Sequence, residues 1–192
     1  MTLADDIKAC TKCSLFNQRT NAVPADVGSK YQLGGIAIFV DAPGVEEDKA
    51  GKQMQGRPGK LLDALLADSG LSRDEVVVLS RVRCKPVRNR LQDFPDASVA
   101  CDEWVKKELD EYNPTVVVLA GNIAMRSVFG ATVGISNVRG SVRQTGSDYM
   151  YGSRVWVPCF HPFAALRNSE IKQTIISDLR LAKELHAESS TQ

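Results

Sequence analysis

No apolar run in this 192-residue chain approaches the ~20 residues that a membrane-spanning helix needs. Internal repeats and low-complexity tracts are also missing, so one undivided unit is expected. The first residues, MTLADDIKAC, are acidic and polar where a secretory signal would be basic and then apolar. The chain is therefore expected to be cytoplasmic, with no membrane partner. Thiols stay reduced in that compartment, which argues against disulfides as the use of its five cysteines. Histidine is scarce, with two. Net charge is only +1, which by itself calls for no polyanion. A hydrophobic content of 43% can bury one substantial core. We expect a monomer with a single domain over 1–187 and a disordered tail at 188–192.

Cys10 and Cys13 stand two residues apart, and Cys84 and Cys101 lie far downstream. Three of the four sit beside basic or Pro-flanked turns rather than in apolar runs. Two thiolates at CxxC spacing can hold one metal from a single turn, and a distant pair completes a four-thiolate site suited to zinc or an iron-sulfur cluster. The spacing does not choose between them, and a redox dithiol or free buried thiols are the plainer readings. Charge is also unevenly spread. Arg81, Arg83, Lys85, Arg88 and Arg90 fall within ten residues that hold no acid. Such a stripe can hold a phosphate backbone despite a neutral total, or can simply be a solvated loop.

Apolar, β-rich runs at Ile36 to Val40, Val76 to Leu79, Thr115 to Ala120 and Val155 to Cys159 read as short buried strands. Helical patterns near Gly59 to Asp68, Ala97 to Glu111, Ala124 to Phe129 and Ser169 to His186 alternate with them. This order predicts an α/β fold, with a mainly parallel four-stranded sheet between helices on both faces. Ligands of such sheets gather at the carboxyl ends of the strands. The first strand is followed there by Asp41, Ala42, Pro43 and Gly44, then by Gly56, Arg57, Pro58 and Gly59, a tight loop that opens a helix. The second is followed by Ser80, the basic stripe and Cys84, and the fourth by His161, Pro162, Leu166 and Arg167. A histidine before a proline at a strand end serves structure as readily as chemistry.

Together these segments, in this order from Cys10 to about Leu185, resemble the iron-sulfur uracil-DNA glycosylases, the family 4 branch of that superfamily. The family's CxxC start, GEAPG loop, GxPFVGRAG segment, NVVKCRPPGNR segment, second distal cysteine, RG segment and HPAxLLR loop align with Cys10 to Cys13, Val40 to Gly44, Gly51 to Gly59, Ser80 to Arg90, Cys101, Arg139 to Gly140, and His161 to Arg167. The resemblance implies a three-layer α/β/α sandwich and a 4Fe-4S cluster on Cys10, Cys13, Cys84 and Cys101. Cys159, in an apolar strand, is a small core residue. The implied partner is DNA and the implied reaction is hydrolysis of the bond between a flipped-out base and deoxyribose. His161 would donate to the O2 of the leaving pyrimidine, and Asp41, at the family's Glu position, would orient water or favour the cationic sugar. Leu166 would fill the vacated stack, Arg167 would meet a phosphate, and Gly44 and Gly59 would let the backbone approach DNA. Arg57, Arg83 and Arg88 would add sequence-independent affinity. No lysine stands at the Schiff-base position, so base release without strand cleavage is implied, although Lys52 and Lys60 lie near in sequence.

The pocket departs from the family pattern. Met54 replaces the Phe on which uracil stacks, Ser80 replaces the Asn that reads the uracil edge, and Val40 with Asp41 replaces Gly-Glu, beside Ala42. A single hydroxyl cannot pair bidentately with an amide edge, which predicts weaker discrimination for uracil by roughly 1–3 kcal/mol. The expected pocket is roomier and set for a bulky 5-substituted pyrimidine such as hydroxymethylcytosine or its glucosylated form. Bases of that kind mark certain bacteriophage DNAs, which suggests a defensive glycosylase. The alternatives are uracil excision in base-excision repair, a catalytically decayed DNA-binding module, and a zinc-site structural protein.

Overall fold

The computed structural model describes residues 1–130, 132–166 and 168–189. Its strands are β1 (Asp26–Val27), β2 (Gly34–Val40), β3 (Val76–Ser80), β4 (Pro114–Ala120), β5 (Arg143–Gln144) and β6 (Val155–Cys159). They form one sheet in the order β1-β3-β2-β4-β6-β5. The expected four strands are its parallel centre, β3-β2-β4-β6. The sheet is nevertheless six-stranded, because β1 and β5 add antiparallel at the two edges. Each of these edge strands has two residues, too few for alternation to show in a sequence.

Eight α-helices accompany the sheet among the described residues: α1 (Leu3–Lys8), α2 (Val45–Ala50), α3 (Gly56–Asp68), α4 (Pro95–Tyr112), α5 (Asn122–Phe129), α6 (Ile135–Val138), α7 (Pro162–Ala165) and α8 (Ser169–Ser189). The central strand β2 explains the layering. From Gly35 to Val40 every residue is buried, as a strand covered on both faces must be. Ile36, Ile38 and Val40 pack with Leu62, Leu65 and Leu66 of α3 and with Ile175, Ile176 and Leu179 of α8. Ala37 and Phe39 belong to a second cluster with Val105 and Leu109 of α4 and with Ala124, Met125 and Val128 of α5. The expected three-layer α/β/α arrangement is thus present. Helix α4 starts on Pro95, whose missing N–H costs nothing at a first turn, and ends where Asn113 turns left-handed (φ 44°) before Pro114. Helix α8 runs through Ser189, so 188 and 189 of the expected tail are helical. Residues 190–192 lie outside the described residues.

After β2 the chain passes to β3 on one side, then crosses to β4 on the other. The sheet therefore opens a crevice at the carboxyl end of β2, where the loops diverge. Beside it a third apolar cluster gathers Ile7 of α1, Leu15, Val82, Leu91, Ala97 and Trp104.

Two members of the basic stripe serve the interior. Arg83 is 1% exposed, pairs with the equally buried Glu108 of α4 and donates to the Ser80 carbonyl. Glu108 also accepts from the Ala25 N–H at 2.7 Å. Arg83 is therefore not a DNA contact as expected from its place in the stripe, because its charge is spent 25 residues along the chain. Arg81 likewise pairs with Asp102 at 2.8 Å. Arg88 and Arg90 remain exposed. Breaking a buried pair strands the surviving charge, so Glu108→Ala should lower unfolding free energy by about 3–5 kcal/mol. Arg83→Met combined with Glu108→Leu should recover most of that loss, with urea denaturation as the measurement.

Candidate functional site

A cavity of about 920 Å³ opens over the carboxyl end of β2, and its walls include Asp41, Ala42, Gly44, Met54, Arg57, His161 and Leu166. These seven residues, widely separated in sequence, line one cavity. Its volume lies toward the top of the ~300–1,000 Å³ typical of ligand pockets. One wall is the loop leading into α2, the other the loop leading into α3. Glu47 ties them: its Oε2 accepts from the Gly44 N–H at 2.9 Å and its Oε1 from the Gln55 N–H at 2.6 Å. Asp48, also buried, accepts from the Thr20 N–H at 2.9 Å and so anchors the same short helix to the N-terminal segment.

Asp41 follows the last residue of β2 and reaches the first turn of α5, where its Oδ1 accepts from the Ala124 N–H at 2.8 Å. Gly121 leaves it room, since a Cβ there would press on both carboxylate oxygens at 2.8 Å. Burial raises the Asp41 carboxyl to about 6, and the backbone N–H groups of Ala124 and Ile123 oppose that rise. It is ionised at neutral pH and close enough to its midpoint to exchange a proton.

His161 caps α7 from the end of β6. Its Nδ1 accepts from the Phe163 N–H at 3.1 Å, which leaves the ring proton of the neutral form on Nε2. Burial lowers the imidazole to about 4. The side chain is thus a neutral N–H donor over the physiological range, the form suited to an oxygen that gains charge.

Met54 is 7% exposed and holds a left-handed backbone (φ 49°), a strained state that clusters at functional positions. Gly59 lies directly beneath it: any Cβ at 59 would overlap the Met54 carbonyl. The expectation that Gly59 admits DNA is therefore corrected, because the residue is buried and lets α3 pack against its own entry loop. Ser80 is also corrected. It is fully buried, is absent from the cavity wall, donates to the Val82 carbonyl at 2.7 Å and accepts from Gln53 Nε2 at 2.9 Å.

Gln53 is the residue that sequence reasoning missed. It is 1% exposed and lines the cavity, its Nε2 also donates to the Val23 carbonyl at 3.1 Å, and its Oε1 has no partner among the described residues. The available signal was its position, where the aligned family segment carries Pro beside the altered Phe. Arg57 is exposed at the cavity mouth, and Arg88 is exposed on a turn whose next residue, Asn89, lines the wall. Arg167 lies outside the described residues. Among the described residues no lysine lines the cavity, and Lys52 pairs with Asp26 at 3.5 Å.

Cys84 and Cys101 belong to the third apolar cluster, and the half-buried Cys10 and Cys13 pack against it. Arg19 donates to Cys84 Sγ and Trp104 Nε1 to Cys10 Sγ, each at 3.2 Å. Burial pushes the Cys84 thiol up to about 11 and raises Cys101 too. Among the described residues, no three His, Cys, Asp or Glu side chains are drawn together as closely as metal ligands. The donor chemistry, four thiols with N–H groups directed at sulfur, still fits a thiolate-bound metal. The cluster touches the cavity, since Leu91 belongs to both and Ala42 and Ile123 pack against it from the cavity wall. Cys159 is separate, packed in the core on the α3–α8 side of the sheet.

Comparison with known proteins agrees with this geometry. A family model described as "Uracil DNA glycosylase superfamily" matches residues 34–180. A protein of Thermotoga maritima named type-4 uracil-DNA glycosylase is 35% identical over 94% of this chain and 91% of its own. Proteins of the same name from Saccharolobus solfataricus and Archaeoglobus fulgidus are 34% and 31% identical, over 95% and 94% of this chain and 84% and 89% of theirs. With an extended family match and relatives aligned over nearly their whole length, the chain belongs to the uracil-DNA glycosylase superfamily.

Proposed function

We propose that this protein is a DNA glycosylase that hydrolyses the C1′–N1 bond of a flipped-out, bulky 5-substituted pyrimidine and leaves an abasic site. The observation that carries the reading is the 920 Å³ cavity holding both Asp41 and His161, with a flexible Met54 where the family has an aromatic ring. Extrusion is required because C1′ and the base edges are inaccessible within the stack. As the bond breaks, positive charge develops on the sugar and negative charge on the base. The Nε2–H of His161 donates to the departing O2, and the Asp41 carboxylate favours the cationic sugar and accepts a proton from water as its oxygen bonds to C1′. The absence of lysine from the wall, among the described residues, supports base release without strand cleavage. Leu166 is the candidate to fill the vacated stack, with Gly44, Arg57 and Arg88 facing the phosphates.

Cys10, Cys13, Cys84 and Cys101 would hold a 4Fe-4S cluster, which when bound supplies a covalent tie among the N-terminus, the segment after β3 and α4. Leu91, Ala42 and Ile123 carry that rigidity to the cavity wall. A defensive role against DNA bearing modified bases follows from the substrate reading. Uracil excision in repair is the second reading, favoured by the names of the three relatives.

The direct test incubates purified protein with matched duplexes bearing uracil, 5-hydroxymethylcytosine or its glucosylated form and assays abasic sites. Release of uracil alone would sink the bulky-base reading. Replacing His161 with Ala should cut the single-turnover rate by about 10²-fold while DNA affinity stays close to that of the parent. The rate should fall about tenfold per unit as pH drops below about 6, because the Asp41 carboxyl then protonates. His161, already neutral there, contributes no such inflection. Asp41→Asn should remove the inflection together with most of the rate.

Protein purified without oxygen should carry about four irons and four sulfides per chain, as measured by iron and sulfide assay. Cys84→Ala should lose them and Cys159→Ala should keep them. A single zinc in the anaerobic protein would overturn the cluster assignment.

A further inference from the structure

We infer that Gln53, locked by Ser80, is the specificity-determining residue of the cavity and selects bases carrying a 4-amino group, that is, cytosine-type rather than uracil-type pyrimidines. This deepens the glycosylase reading and rests on it. Both Nε2 protons of Gln53 are committed, one to the Val23 carbonyl and one to Ser80 Oγ. Ser80 Oγ spends its own proton on the Val82 carbonyl, so it can only accept from Gln53. The amide cannot be flipped without facing Oε1 to the Val23 carbonyl and losing both bonds. Oε1 is therefore a fixed acceptor on a wall residue that is 99% hidden from solvent, and it has no partner among the described residues. A buried amide oxygen left unpaired is costly, and a ligand N–H that meets it recovers that cost.

The rest of the inner wall has the same sense. Asp41 and Glu47 bring carboxylates, and Gln55 spends its Nε2 on the Gln53 carbonyl at 2.8 Å. His161 supplies one N–H. Beside Gln53, the carboxylates of Asp41 and Glu47 and the single N–H of His161 match a base with one carbonyl oxygen and an amino group, while the donors Arg57, Asn89 and Asn168 are exposed residues of the wall. The inner wall mismatches a base with two carbonyl oxygens, whose O4 would meet acceptors. Ser80 thus has a function without touching the base, as a positioning residue that fixes which end of the Gln53 amide is presented.

The experiment uses four matched duplexes: uracil, cytosine, 5-hydroxymethyluracil and 5-hydroxymethylcytosine. Comparison across the 5-position tests the bulky-base reading, and comparison across the 4-position tests Gln53, so the two can fail separately. Single-turnover release and Kd are both measured, and Kd decides if no base is released. The 4-amino base should be favoured over its 4-oxo counterpart by about tenfold or more. Gln53→Met should bring that ratio to within about threefold of one. Ser80→Ala, which keeps the Gln53 side chain but frees it to turn, should do the same and guards against a Gln53 variant that fails to fold. A parent preference for the 4-oxo bases, or an amino preference that survives Gln53→Met in folded protein, would overturn the assignment.

Discussion

Glu47 is the constraint on which the site depends. A buried carboxylate with one oxygen on each loop ties the two cavity walls together, and Met54 seats the second loop in the main apolar core. Charge-assisted bonds to backbone N–H groups are stronger than neutral ones, and here they serve two segments at once. Everything placed on those loops inherits this spacing, including Gly44 on one side and Gln53 and Met54 on the other. The sheet contributes the third fixed edge, because Asp41 is bound to α5 and His161 to α7 by side-chain bonds to backbone N–H groups.

Each of these side chains closes a helix start while presenting its remaining polar atoms to the cavity. The same bond that satisfies an orphan N–H fixes the orientation of the side chain. For His161 it also selects the tautomer, since an Nδ1 that accepts cannot carry the ring proton. Burial then moves the carboxyl upward and the imidazole downward, giving one group poised near neutrality and one that stays uncharged. The contrast between a carboxyl raised toward neutrality and an imidazole kept uncharged thus arises from ordinary capping and desolvation, with no separate device.

The parts of the fold that were legible in the sequence were those with enough residues to show a period. The four parallel strands and the long helices α3, α4 and α8 are runs of that length. The four-residue helices α6 and α7 and the two-residue edge strands are too short to show one. The placement of Asp41 and His161 on one cavity wall was also legible, since both follow the carboxyl ends of parallel strands, where the ligands of such sheets gather. Ser80 and Arg83 were misread for a physical reason. Ser80 continues the alternation of Val76 and Val78 toward the α3 side, so it ends up behind Gln53 rather than at the cavity. Arg83 looked free because its partner Glu108 lies on a helix that only the tertiary fold brings near. Gln53 went unseen because an amide in a loop shows no pattern until its neighbours are known.

The left-handed backbone at Met54 narrows how this cavity can evolve. A β-branched residue is a severe outlier at positive φ, so Val, Ile and Thr are closed to position 54 however well their volume would fit. Gly59, pressed beneath the Met54 carbonyl, blocks the compensating shift of the backbone. With this backbone the chain can therefore vary position 54 of the cavity wall only among side chains that are not β-branched. Substrate range would then change in jumps between those shapes rather than by gradual addition of methyl groups.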